Sequence, residues 1–409
     1  STSCPLAGLL TQVAAPDAAT ITLTTARPVA ALPAMLALPC ASIVKSTDLG
    51  KYGNSAFSTH LADIAFSSTY YVFQFMPGLS LTLKYNEGNS VSSTPIQAAP
   101  AQITVLAYSD NQASYRAFQA GQLDMAPSTG NQDSTNGRLR TGHPATLHYY
   151  AMNFLAKPFD NIAMRQAFAL ALDRRQLASL NTGITDLSSD QILADTLLGP
   201  FKSGQDFLSL SDDPGTGNPA RAKTLFAIAL QQEGLSNVSQ LPAITFAYQD
   251  NQPRLASEIA LACQMWQQMF GIQVTPRPMS NLDQALAATR NNPNGLQLWA
   301  ADYAPAFADP LAWLSLPFGQ NSPLNTVNFG QNQSNDAARQ QLLQANLAEY
   351  DANFDQDQTR LQGYQSVEQQ IITDVAWLPI SMHIQDYFLA SNMQTPFSLF
   401  WSPWSSSDY

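Results

Sequence analysis

The chain has 409 residues, 45% of them apolar, which is enough for a large core and makes two or three domains the expectation. Only 12% of residues are charged, too few for a disordered acidic tail protein. Thirty acidic against 19 basic side chains give a net charge of −11, and without a run of Lys or Arg to neutralise successive phosphates nucleic-acid binding by this stretch is excluded.

From the N-terminus, no basic segment precedes an apolar one and Cys4 lacks the Leu of a lipoprotein cleavage box, so an export signal is expected outside these residues. Of the three cysteines, Cys263 lies in a helical pattern as a small hydrophobe. A bridge between Cys4 and Cys40 would suit an oxidising compartment. Thr20 to Ala26 alternates as a strand, Pro33 to Leu38 reads as a short helix, and Leu79 to Tyr85 alternates again behind the Pro77-Gly78 turn. The most apolar stretch, residues 28–44, is broken by Pro33 and Pro39 and is not a membrane span. Gly88 to Ala101 is a polar loop, Ile103 to Tyr108 a strand, and Gln112 to Ala120 a helix stopped by Gly121. Ser128 to His143 shows no apolar periodicity and reads as a surface excursion.

A strand is expected over residues 145–154, then a helix capped by Asp160 or Asn161 and a second one behind Asp173. Asn218, Pro219 and Gly234 frame a helix between them. Strand, helix, strand over ITFAYQD, Pro253 to Phe270 and Ile272 to Arg277 is a crossover unit with parallel strands. Leu296 to Ala300 adds a strand, Asn335 to Tyr350 and Gln356 to Thr373 two long helices, and WLPISMHI a buried strand. The whole is α/β.

A search for catalytic chemistry finds little. His60, His143, His148 and His383 have no metal-ligand spacing and read as structural. PGTGNP at Pro214 to Pro219 lacks the third glycine of a phosphate loop, Asp212 and Asp213 sit in a turn, and GxSxG is absent. No cofactor is expected. The segment WAADYAPAFADPLAWL stands apart, because a strand end runs into a loop with two acids and several aromatics, where open α/β sheets place ligands. A partly shielded carboxylate there makes a strong bond to an amine. Asp302 and Asp309 can each make that bond or cap the following short helix, and for Asp309, just before Pro310, the cap is the expectation.

PFDNIAMRQAFALALDRRQL at Pro158 to Leu177 resembles the family 5 extracellular solute-binding proteins, the oligopeptide and dipeptide receptors of bacterial ABC importers, whose PF-D-x-x-x-R-Q-A-x-x-x-A-x-D-R pattern it matches in order. AFQAGQLDMAP, NPARAKTLF and LQLWAADYAP are similar to further family segments, so the resemblance runs from about Ala15 to Trp404. It implies a two-lobed clamp of the periplasmic-binding-protein type (type II, cluster C-like), incomplete at its N-terminus, and no enzyme. The expected division is residues 1–45 as the remnant of a small second domain, 46–150 as the first lobe, 151–384 as the second α/β lobe, and 385–409 returning to the first.

The resemblance assigns Asp302 to a peptide's amino terminus, with Trp299 and Tyr303 walling the pocket. Main-chain pairing of an extended ligand makes Tyr149, Tyr150, Met152, Asn153 and Phe154 a candidate face, although a core role serves Tyr149 and Tyr150 equally. Two departures bear on this. Four extra residues separate Asp302 from Asp309-Pro310, leaving open a transfer of the amine-binding role to Asp309 or its loss, and Leu296 stands where a base for the peptide carboxylate is sometimes found. The implied function is capture of a peptide or other small solute by hinge closure and its delivery to importer membrane subunits. The place implied is the periplasm or cell exterior, with lipid anchoring through a segment not in this chain and a further N-terminal segment or chain as partner. The alternatives are the ligand-sensing domain of a transcription regulator, a degenerate non-transport binding protein, and a hydrolase on the same scaffold.

Overall fold

A mixed sheet organises most of the buried residues in the computed structural model, which describes residues 4–56, 59–66, 68–87, 100–128, 137–180, 185–194, 197, 208, 215–250, 253–332, 336–354 and 358–393. The loop at 88–99, residues 129–136, the Asp212-Asp213 pair and the segment from 394 onward lie outside these. Strands β1 (Leu10–Ala14) and β2 (Thr22–Thr25) form a hairpin, and β3 (Tyr70–Met76), β4 (Ser80–Tyr85) and β5 (Gln102–Leu106) an antiparallel meander. The main sheet takes β6 (Met125–Pro127), β7 (Gly137–Met152), β8 (Thr185–Ser188), β9 (Ile244–Gln249), β10 (Val274–Met279), β11 (Leu298–Tyr303) and β12 (Trp377–Ala390). Its order is β10-β9-β11-β7-β12-β6, with β8 also on β12.

The crossover reading holds, since β9 and β10 pair in parallel and β11 joins parallel to β9. The connecting helix, Pro253–Phe270, buries Ile259, Ala262 and Trp266, and the Trp266 indole donates to the Phe168 carbonyl at 2.8 Å. Helix starts follow their capping chemistry: Asn161, rather than Asp160, accepts from the amides of Ala163 and Met164, Asp173 accepts from Gln176, and Asn218 from Arg221. Gly217 is needed for close approach. At φ +71° an added Cβ would stand 2.5 Å from the Leu170 carbonyl oxygen and 2.6 Å from that of Leu172.

The surface excursion expected over residues 128–143 needs correction, because from Gly137 the backbone is already strand, bonded to β12 through pairs such as Ala390↔Gly137 and Tyr387↔Arg140. Long-range pairing supplies an order that local periodicity does not show. The expected divisions at 150/151 and 384/385 fall inside β7 and β12, two continuous strands.

Two smaller clusters flank the core. Tyr115, Phe118, Ala126 and Phe388 form one. In the other, Leu6, Leu9, Val29, Ala31, Met35 and Leu38 pack on Phe307, Leu311 and Ala312, so the N-terminal stretch seats on the loop behind β11. Cys4 and Cys40 are disulfide-bonded. Arg27 reaches Asp351 at 3.2 Å, and the Ala30 amide donates to the Asp351 carbonyl. Phe307, within the residues that stretch the acidic loop, thus has a packing role.

Candidate functional site

Alternation along β11 decides which residues share a face. Asp302 pairs across with His148 and Ala300 with Tyr150, so Asp302, His148 and Tyr150 lie on one face. Trp299, Ala301 and Tyr303 point to the other, where Tyr303 packs on Trp377 with ring centroids 5.1 Å apart. Trp299 and Tyr303 therefore do not flank Asp302, a correction that follows from the strand period itself. Trp299 is wholly buried, and the Tyr303 hydroxyl donates to the Ala312 carbonyl.

The face of Asp302 carries a row of bonded ionisable groups. Asp302 Oδ1 meets His148 Nδ1 at 2.6 Å, His148 Nε2 meets Glu258 Oε1 at 3.0 Å, and the Tyr150 hydroxyl donates to the same Glu258 oxygen. Glu258 projects from the Pro253–Phe270 helix and is fully buried, His148 is nearly so, and the Asp302 side chain is 49% exposed. Burial by itself would strip the proton from His148, but the Glu258 charge and the hydrogen bonds to Asp302 and Glu258 outweigh it and lift the imidazolium to about 10. Burial would likewise raise Asp302, yet the His148 bond and charge, with a contribution from His383, hold it below the ordinary carboxylate value. Tyr150 is pushed well above its ordinary value by burial and by Glu258, and so remains a donor. At neutral pH His148 is therefore an imidazolium and Asp302 a carboxylate. Asp302 Oδ2 takes no hydrogen bond from the described residues and is its outward acceptor.

The other candidates have internal work. Strand β7 is bonded to β11 on one edge and β12 on the other, so no extended ligand adds to residues 147–152, which corrects the expectation of main-chain pairing there. Tyr149 stacks on Trp377 at 4.0 Å, and Met152 is buried in the core. Asn153 donates to the Asn292 carbonyl and accepts from Leu155 and Asn328. Phe154 lies under the Arg165 guanidinium at 3.6 Å, which bonds the carbonyls of Asp374 and Phe159 at 2.8 Å each. Arg165, matched to the family pattern, is thus a structural cation, lowered by its burial to about 10.

Asp309 is held by both Arg360 terminal nitrogens at 2.8 and 3.1 Å while its Oδ1 accepts from the Leu311 amide. The cap reading fits that geometry, and a ligand amine would have to displace a guanidinium. His148, without metal-ligand spacing, reads as structural in sequence, and nothing in the helix pattern around Glu258 marks that residue out. The signal was an ionisable residue inside an otherwise apolar strand, which needs a buried partner. Among the described residues no group of three or more His, Cys, Asp or Glu is placed to hold a metal.

Asp302 thus stands at the end of a strand of a mixed seven-stranded sheet, and that fold is found in solved binding proteins. Solved structures share it: that of HbpA2 from Haemophilus parasuis superposes with a TM-score of 0.72 at 16% identity, over 95% of this chain and 73% of that one. The chain belongs to the bacterial extracellular solute-binding proteins, family 5, whose middle region matches residues 2–323. It is 22% identical over 280 residues to the dipeptide-binding protein DppE of Bacillus subtilis, across 68% of this chain and 48% of DppE. To the oligopeptide-binding protein OppA of the same organism it is 26% identical over 237 residues, across 56% of this chain and 42% of OppA. The chain thus spans about half the length of the curated relatives it matches. Its family consists of extracellular binding proteins, and among the described residues no helix is long and apolar enough to cross a membrane.

Proposed function

We propose that the chain acts in the substrate-binding component of a peptide importer of the ABC type, holding a peptide-like solute by an amine at Asp302. The observation that carries this reading is the half-exposed Asp302 carboxylate, kept ionised and oriented by a buried imidazolium at the end of a central strand. Ligand contacts made with more than one part of the chain favour a closed form by their differential affinity, and delivery to membrane subunits follows. The names of DppE and OppA support peptides as the ligand class. Asp309 is the weaker candidate because Arg360 already neutralises it. The disulfide between Cys4 and Cys40 supports a periplasmic or extracellular site. The stretch from Leu6 to Leu38, seated on the loop behind β11, is in this reading an accessory to the second lobe.

Native mass spectrometry of the purified protein with a mixture of di- to pentapeptides tests this. One bound peptide per chain is expected, with occupancy sharply lowered by Asp302→Asn. Absence of any bound peptide, or equal occupancy in the variant, would overturn the reading.

A further inference from the structure

The loop that leaves β11 behind Asp302 is fastened to parts of the chain distant in sequence. Its far end is held by two helices: both terminal nitrogens of Arg360, on Gln358–Thr373, grip Asp309, and the Ser315 hydroxyl donates to Asp351, on Asp336–Ala352, at 2.6 Å. Nearer Asp302 the hold is apolar. Phe307, Leu311 and Ala312 are buried under the apolar residues between Leu6 and Leu38, and the Ala312 carbonyl is the acceptor of the Tyr303 hydroxyl, so that cover reaches the residue beside Asp302 through one hydrogen bond. Asp351 joins the two holds. One of its carboxylate oxygens takes the Ser315 bond and the other the Arg27 guanidinium, while its carbonyl accepts from the Ala30 amide at 2.8 Å. Cys4 and Cys40 bracket the whole cover, and Cys40 is exposed to solvent.

We propose that this disulfide-closed stretch is a clamp on the loop behind Asp302, with Arg27 and Asp351 as its positioning residues, and that the residence time of a bound solute depends on the Cys4–Cys40 bridge. The inference rests on the reading of Asp302 as a ligand contact. The stretch supplies little order of its own: β1 and β2 have no buried residue, and apart from Ala30 its buried apolar side chains from Leu6 to Leu38 are those of the cluster with the loop. Closing positions 36 apart in sequence removes chain entropy from the undocked state, so the bridge raises the ratio of docked to undocked stretch by about a hundredfold or more. A loop fixed in advance loses less freedom when a ligand meets it, and the gain falls mainly on the dissociation rate.

Reversible reduction tests this, with tris(2-carboxyethyl)phosphine turning the bridge into two thiols and itself into the phosphine oxide. Hydrogen exchange should quicken about tenfold or more at the amides of Asp309, Leu311 and Ala312, each bonded within the loop, and stay unchanged at Phe246 and Ala247 of β9. Over the same change the dissociation rate of tri-alanine should rise about fivefold or more, and reoxidation should restore both readings. Unchanged exchange in the loop overturns the proposal, and so does faster exchange with an unaltered dissociation rate; either result leaves the peptide reading standing. If the oxidised protein binds no tri-alanine, the peptide reading falls and the proposal falls with it. Should reduction also release the β9 amides, Arg27→Leu decides. Its loop exchange should run about threefold faster than wild type, the scale of a half-exposed ion pair, with Arg27→Lys restoring the wild-type rate. A wild-type rate in Arg27→Leu overturns the proposal.

Discussion

An imidazolium buried between two carboxylates makes stability depend on pH in a direction opposite to the usual acid-labile case. His148 titrates near its ordinary value of 6.5 in the unfolded chain and near 10 in the folded one, the Glu258 and Asp302 contributions having outweighed burial. A raised folded value means the contribution is complete below 6.5, declines by about 1.4 kcal/mol per pH unit above it, and is gone past 10. From pH 6.5 to 9 the loss is roughly 3 kcal/mol, and the depressed Asp302 value is the other side of the same interaction, not an addition. Urea unfolding followed by tryptophan fluorescence at pH 6, 7, 8 and 9, for wild type and His148→Gln, isolates this group because Cys263, the tyrosines and the lysines titrate in both proteins. The wild-type advantage should shrink by about 2.5 kcal/mol between pH 7 and 9. An advantage that stays constant over that range would refute the imidazolium. On the acid side the sign reverses, since the Asp302 contribution is present above 3.8 and is lost as pH falls through its lower folded value.

Gly217→Ala should destabilise the protein by about 1–3 kcal/mol, because the new methyl meets two carbonyl oxygens and the backbone is left-handed; a denaturant midpoint equal to wild type would contradict the close approach. Arg165→Met leaves the carbonyls of Asp374 and Phe159 without their donor and should cost about 3–5 kcal/mol, read as a fall in melting temperature. A melt within about 1 °C of wild type would show that those carbonyls find other partners. Cys4→Ser opens a closure between positions 36 apart in sequence, worth about 4 kcal/mol on the chain-entropy account. Limited proteolysis should then cut within residues 4–41 before the core, and an unchanged digestion pattern would count against that account.

Legibility followed the range of the forces involved. Caps at Asn161, Asp173 and Asn218 act over three residues and can be read from their neighbours, as can the glycine stop at Gly234. The parallel β9–β10 unit was legible because a crossover helix of 18 residues has few alternatives. Which strands flank β7 was not, since pairing with β11 and β12 joins positions more than 140 residues apart. That ignorance made a fully paired strand look available to a ligand. The strand period, in contrast, already separated Asp302 from Trp299 and Tyr303; reading them as one pocket followed motif adjacency in place of geometry. Asp302 was singled out by its place at a strand end together with the family motif around it, whereas His148 and Glu258 come into view only where three separate elements meet at one point.

Strands β7 and β12 run side by side from Trp377↔Ala151 in the main core to Ala390↔Gly137 beside the cluster of Tyr115, Phe118, Ala126 and Phe388. Their register is irregular between Pro379 and Ser381, His383 and Ile384, and Ile384 and Asp386, and regular toward both ends. The other edge of β12 closes that gap: β8 pairs with it through Ser381↔Ser188, Met382↔Leu187, His383↔Asp186 and Ile384↔Thr185, over the same residues at which the ladder to β7 is interrupted. A strand irregular on one edge and regular on the other is held in place from the regular side. Ser381, at the first interruption, is the residue opposite His148, so the backbone behind the imidazolium that aims Asp302 is braced by β8.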